Sequence, residues 1–162
     1  AFVDGLAVAA SYSGSTSDQD STTAYGVTYT GIEGLTAYYG AGEVGSTADS
    51  GDITSMGVSY AMGSFTAAYS VNEADMTTAA NEEQTSFKVS YTVTEDLSVS
   101  YGEETHDTNG QSVDEEFESL SVSYTTGGMT ITASNNEATG LGNVSGNNNE
   151  QTRWKLGAAF AF

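Results

Sequence analysis

Apolar and small polar residues alternate along most of this chain with a period of two. That is the pattern of strands whose two faces meet different surroundings. The clearest stretches are Tyr25-Gly-Val-Thr-Tyr29, Met56-Gly-Val-Ser-Tyr60, Phe87-Lys-Val-Ser-Tyr91, Leu97-Ser-Val-Ser-Tyr101 and Leu120-Ser-Val-Ser-Tyr124. One set is Val, Leu, Met, Phe and Tyr; the other is Ser, Thr, Gly and Ala, with Lys88 as an exception. The alternation predicts ten strands, at roughly 2–13, 21–31, 34–44, 53–62, 64–73, 85–94, 96–105, 116–126, 128–136 and 151–162. Short turns at Gly31–Gly34, Met62–Ser64, Thr94–Asp96 and Thr126–Gly128 alternate with polar loops at Gly14–Thr22, Gly45–Asp52, Glu73–Gln84, Thr105–Glu115 and Glu137–Glu150. Tyr29, Tyr60, Tyr91 and Tyr124 recur at intervals of 31, 31 and 33 residues. The unit is a hairpin, and its repetition predicts an all-β, up-and-down antiparallel meander.

Charge sharpens this picture. Asp and Glu number 22 against three Lys and Arg, for a net charge of −19. All but Asp4, Glu33, Glu95 and Asp96 fall in or near the long loops, so one end of the sheet is strongly anionic. Phosphate would be repelled, which argues against a nucleic-acid partner. The chain has no Cys and no Pro, so disulfides and thiolate metal sites are excluded. No apolar run approaches the ~20 residues of a membrane-spanning helix. The chain opens on Ala1 without a signal-peptide pattern, and is expected to be either processed or a piece of something longer.

The apolar face must meet either a protein core or lipid. In a soluble barrel the Ser/Thr/Gly face would be wet and normally carries Lys and Glu. Here that face has almost no charge within the strands. The strand lengths suit the ~9–11 residues of a transmembrane strand. Aromatic residues also collect at strand ends. Tyr29, Tyr60, Phe65, Tyr91, Tyr124, Phe160 and Phe162 lie toward the short turns, and Tyr12, Tyr25, Tyr39, Phe87, Tyr101 and Trp154 toward the other end. Girdles at two membrane interfaces explain that arrangement, although Tyr is also simply a good strand former. The aromatic girdle is accordingly assigned to Tyr29, Tyr60, Tyr91, Tyr124, Trp154, Phe160 and Phe162. Ser59, Ser90, Ser100, Ser121 and Ser123 fall on the opposite, pore-lining face.

The terminal stretch KLGAAFAF, ending on Phe162, resembles the last strand of Gram-negative outer-membrane β-barrels. In that class the terminal aromatic is part of the signal read by the insertion machinery. The segments DGLAVAASYSG, GVSYAMGSFTAAYS and FKVSYTVTEDLSVSYGEE resemble general diffusion porins of the alpha-proteobacterial type. The resemblance covers the whole chain. It implies a transmembrane barrel in the bacterial outer membrane, contacts with lipid and lipopolysaccharide, a homotrimer, and passive diffusion of small hydrophilic solutes and ions. The charge of −19 adds an expected preference for cations. Such porins have about 16 strands and a long constriction loop. This chain has ten predicted strands and no evident constriction loop, so it matches the C-terminal ten strands of a longer barrel. A closed ten-stranded barrel is the alternative, but a narrow barrel fills its interior with side chains, and these inward residues are small.

Candidate chemistry is sparse. The resemblance makes Lys88, Arg153 and Lys155 pore-lining bases, facing acids across the eyelet; the plainer reading is that they offset loop carboxylates. Acid clusters point to Ca2+ or Mg2+ at the rim, with Asp18, Asp20, Asp49, Asp52, Asp114, Glu115 and Glu116 as candidate ligands; a solvated acidic fringe explains them equally. Otherwise no cofactor is expected. Gly40-Ala-Gly-Glu-Val-Gly45 matches a dinucleotide-binding glycine pattern, but a loop follows it where a helix is required. His106 reads as an exposed loop histidine at the rim. An omptin-like barrel protease would use a His there, but its paired acids cannot be placed in this chain, so no catalytic role is expected. A non-conducting surface barrel is the other alternative to a porin.

Overall fold

The computed structural model describes residues 3–17, 19–46, 49–146 and 149–161. Ten strands form one sheet in sequence order: β1 (Leu6–Ser13), β2 (Thr22–Tyr29), β3 (Leu35–Val44), β4 (Gly51–Met62), β5 (Phe65–Met76), β6 (Glu82–Thr94), β7 (Leu97–Thr108), β8 (Glu115–Thr126), β9 (Met129–Thr139) and β10 (Gln151–Phe160). Every neighbouring pair is antiparallel, as the hairpin repeat requires.

The short turns are stitched to the next hairpin by a repeated hydrogen bond. Thr30, Ala61, Thr92, Thr125 and Ala161 donate their amides to the carbonyls of Gly5, Gly34, Ser64, Asp96 and Gly128, at 2.7–2.8 Å. Gly34 makes its turn with φ +76°, a conformation that L side chains rarely adopt. A Cβ there would also run into the carbonyl of Ala61.

The strands extend further toward the long-loop end than the alternation predicts. β5 continues to Met76, β6 begins at Glu82, and β7 runs to Thr108. The expected loop 73–84 is therefore mostly ladder, and the expected loop 105–115 shrinks to 109–114. Charged residues argued against strand there, since Glu and Asp are poor strand formers. The hydrogen bonds of the meander override that preference.

The register is staggered. One continuous row of paired residues runs Leu6, Tyr29, Ala37, Val58, Tyr69, Phe87, Glu103, Glu118, Glu137, Thr152. It starts at the turn end of β1 and finishes near the long-loop end of β10. Such a climb is the geometric consequence of strands tilted to the axis of a barrel.

No apolar interior exists among the described residues. Val71, at 7 % exposure, is the single buried hydrophobic side chain. Leu156 is 81 % exposed and Trp154 76 %, and Val8, Tyr12, Tyr91, Leu120 and Phe160 are exposed as well. Each such side chain left in water forgoes about 1.5–3 kcal/mol of burial. A soluble sheet would not leave so many on one face. Among the described residues β1 and β10 each pair on one side only, so the sheet is open there.

Candidate functional site

The face opposite the apolar one is concave. Two cavities, of about 790 and 740 Å³, lie against it. The first takes in Ser59, Ser70, Ser86, Lys88, Gly102, Ser119, Asn136, Arg153 and Lys155. The second takes in Gly40, Gly42, Ser55, Asn72, Gln84, His106 and Glu115. Both draw mainly on the small, polar half of the alternation, with Tyr38 and Phe117 in the first and Ile53 in the second as large inward exceptions.

Polar side chains on this wall bond to one another across strands. Ser55 Oγ donates to Asn72 Oδ1 at 2.7 Å, and Asn72 Nδ2 to Gln84 Oε1 at 3.4 Å. Ser100 and Ser121 share a hydroxyl bond of 2.8 Å. Ser119 Oγ donates to Asn136 Oδ1 at 2.9 Å, and Asn136 Nδ2 to Ser134 Oγ at 3.0 Å. Each bond satisfies groups that water would otherwise serve, and so fixes the wall without closing it.

Ser90, Ser100, Ser121 and Ser134 stand in one cross-strand row that ends at Lys155. Ser123 lies in the next row toward the turns, opposite Ser98. Lys88 and Arg153 share another row with Ser59, Ala68, Gly102, Ser119 and Asn136. All eight residues assigned from the sequence to a pore lining therefore have the parity of the concave face. None of the three bases has a carboxylate within ion-pairing distance among the described residues.

Tyr29, Tyr60, Tyr91, Tyr124, Trp154 and Phe160 have the parity of the convex face and lie near strand ends. Tyr25 and Tyr39, also convex, approach each other at 6.3 Å. Phe162 is outside the described residues.

Three features of the wall were not legible in the chain. Tyr38 faces inward, and its ring lies across Gly57, where an added Cβ would sit 2.6 Å from it. The alternation places Tyr38 on this face only once its partner, Tyr39, is known to face out. His106 is not a loop residue. It lies in β7 on the concave face, with Nε2 2.7 Å from Glu104 Oε1 and its ring edge-on to Phe117 at 5.6 Å. Among the described residues Asn143 is the one loop residue that lines the second cavity. Its Nδ2 donates to the carbonyl of Val113, and the Gly142 amide donates to Glu115 Oε1, which folds the start of the 140–150 loop against β8.

Thirteen of the acids lie in strands, and register divides them. Glu43, Asp52, Glu73, Asp75, Glu83, Glu103, Asp107, Glu116, Glu118 and Glu137 take the convex face; only Glu82, Glu104 and Glu115 take the concave one. The net charge is therefore a poor guide to the charge of the wall.

The candidate metal ligands are dispersed. Asp49 spends its two carboxylate oxygens on the amides of Thr78 and Ala79, at 2.9 and 3.0 Å. Asp52 is convex, and Glu115 concave beside Glu116 on the convex face. Asp18 lies outside the described residues. The described residues, Asp20 and Asp114 included, form no group of three or more His, Asp or Glu able to hold a metal ion.

An outward apolar face, an inward small polar face and a tilted meander together describe the wall of a transmembrane β-barrel. A family model described as Gram-negative porin matches residues 3–162. The chain belongs to the Gram-negative porin family. A solved structure titled as a porin superposes on it with a TM-score of 0.70 at 20 % sequence identity, covering 99 % of this chain and 59 % of that one. At that identity the likeness shows the fold, an up-and-down β-barrel wall. The chain spans 59 % of the length of the porin it resembles. No curated protein matches the sequence at a significant level. Membership of the porin family places the chain in the bacterial outer membrane.

Proposed function

We propose that this porin chain forms part of the wall of a water-filled channel through which small hydrophilic solutes and ions diffuse passively. The observation that carries the reading is the concave wall of Ser, Thr, Gly and Ala on a sheet whose apolar residues all but lack an interior. A bilayer forbids unpaired strand edges, because each orphaned backbone group costs several kcal/mol in hydrocarbon. The free edges of β1 and β10 are therefore paired in the membrane by strands beyond these ten. The coverage of 59 % of the similar porin fits that arrangement.

Lys88, Arg153 and Lys155 line this channel together with Ser59, Ser90, Ser100, Ser121 and Ser123. Lumen side chains tune selectivity without being needed for folding. Passive diffusion needs no catalytic group, and His106 is assigned none. The convex face contacts lipid and lipopolysaccharide, the assembly is a homotrimer, and Phe162 serves the insertion machinery. A preference for cations would come from the acids of the mouth, since few of the strand acids face inward.

Planar-bilayer recording tests the reading. Folded protein, checked by its heat-modifiable mobility on SDS gels, is expected to give discrete single-channel steps. Folded protein that inserts and produces no steps would make this a non-conducting surface barrel.

A further inference from the structure

Acids and bases on the concave wall are ordered along the strands. Glu115 stands opposite His106, nearest the long-loop end. Glu104 lies two residues closer to the turns along β7. Lys88 and Arg153 occupy the next row down, and Lys155 ends the row below that. Lys88 pairs with Gly102 and Ser86 with Glu104, so Lys88 and Glu104 are diagonal neighbours across β6 and β7. Diagonal positions are about 7–8 Å apart, within reach of a lysine side chain. An acid and a base placed so would ordinarily pair.

They do not pair here, and the structure gives the reason. Glu104 Oε1 accepts from His106 Nε2 at 2.7 Å, and Oε2 accepts from Ser86 Oγ at 3.1 Å. Phe117 packs edge-on to the imidazole and holds it in place. With both carboxylate oxygens engaged, Glu104 makes no ion pair with Lys88, which lines the 790 Å³ cavity. Arg153 and Lys155 are equally unpaired on the same cavity. The three Lys and Arg residues of a chain with 22 acids thus share one cavity, which is also lined by Glu104 and, at positions of convex parity, by Glu103, Glu118 and Glu137.

We infer that Lys88, with Arg153 and Lys155 on the same wall, binds the oxyanion group of a permeating solute, a carboxylate or a phosphate, and that His106 is the positioning residue that keeps Lys88 free by holding Glu104. The inference rests on the channel reading and adds a solute class to it. A free ammonium beside a protein wall attracts an anion more strongly than one in bulk water. An ammonium already paired with Glu104 would have to lose that partner first. The guanidinium of Arg153 adds a planar donor suited to either oxyanion.

The test titrates the ionic current of the native channel in planar bilayers with inorganic phosphate and, separately, with succinate. Both are expected to depress the current, and the two half-blocking concentrations show which oxyanion the wall prefers. Lys88→Gln should raise the half-blocking concentration by about fivefold or more, and Lys88→Arg should keep it near the native value. His106→Ala leaves Lys88, Arg153 and Lys155 in place, yet should raise it about threefold by releasing Glu104 toward Lys88. Adding Glu104→Gln to His106→Ala should restore the native value, which a merely structural role for His106 would not do. The convex Glu43→Gln, away from this cavity, should leave it unchanged. Steps that neither oxyanion blocks, block indifferent to Lys88→Gln, or a double variant without recovery would overturn the inference and leave the channel standing. The absence of steps would overturn both.

Discussion

Glu103 and Glu104 are consecutive in β7 and meet different surroundings. Glu103 points outward, accepts one bond from the Tyr101 hydroxyl at 3.2 Å, and is paired across the ladder with Glu118, which is paired in turn with Glu137. Like charges directly opposite each other destabilise a sheet, so this face tolerates repulsion where water or headgroups can screen it. Glu104 points inward and gives both oxygens to defined donors. The same chemical group is part of a charged fringe on one side and of an ordered wall on the other. Register alone decides which. The lesson extends to the whole sheet: along the convex face apolar residues give way to acids, several of them bonded to Thr, Tyr or Asn, while the concave face carries small polar side chains bonded across strands.

Substitutions that confuse the two faces should have the largest effect. Val122 lies at the centre of the convex apolar band of β8, between Leu120 and Tyr124. Val122→Arg should cost about 2–4 kcal/mol in reversible folding into lipid vesicles. Its neighbour Ser121 faces the wall, and Ser121→Arg should cost only about 1 kcal/mol, chiefly the hydroxyl bond to Ser100, while lowering single-channel conductance. Equal costs at the two positions would erase the distinction between the faces.

A backbone change should come next. Gly34→Ala forces a Cβ onto a φ of +76° and against the Ala61 carbonyl. The expected loss is about 1–3 kcal/mol in the same folding assay. A neutral result would mean that the repeated turn stitch is not held rigidly.

The smallest expected effect concerns the acidic fringe. Glu118→Gln relieves repulsion from both Glu103 and Glu137, and should stabilise by about 0.2–1 kcal/mol at low salt. The gain should shrink when the denaturant midpoint is measured in high salt. A loss of stability would show that these carboxylates are bridged rather than repelling.

Much of the fold was legible because period-two alternation survives any particular register. The Val-Ser-Tyr hairpins, the spacing of Tyr29, Tyr60, Tyr91 and Tyr124, and the short turns gave the number, order and facing of the strands. Strand ends were less legible. Glu73, Asp75, Glu82 and Asp107 have loop-like chemistry, but the ladder carries them in β5, β6 and β7. Acidic composition likewise suggested an anionic mouth and a preference for cations, whereas only pairing shows that most strand acids face outward. The relation between Lys88, Glu104 and His106 was invisible for the same reason. It depends on a cross-strand neighbour sixteen residues away, and no local pattern encodes that distance. Tyr38 was hidden by its twin, Tyr39.

Trp154 is the only tryptophan in the chain and lies on the convex face of β10. Its fluorescence reports directly on what that face touches, without any mutation. In vesicles of brominated lipid its emission should be strongly quenched, and acrylamide in the aqueous phase should quench it weakly. Efficient quenching by acrylamide together with indifference to brominated chains would place the apolar face in water, and would contradict the assignment of lipid to the outside of this sheet.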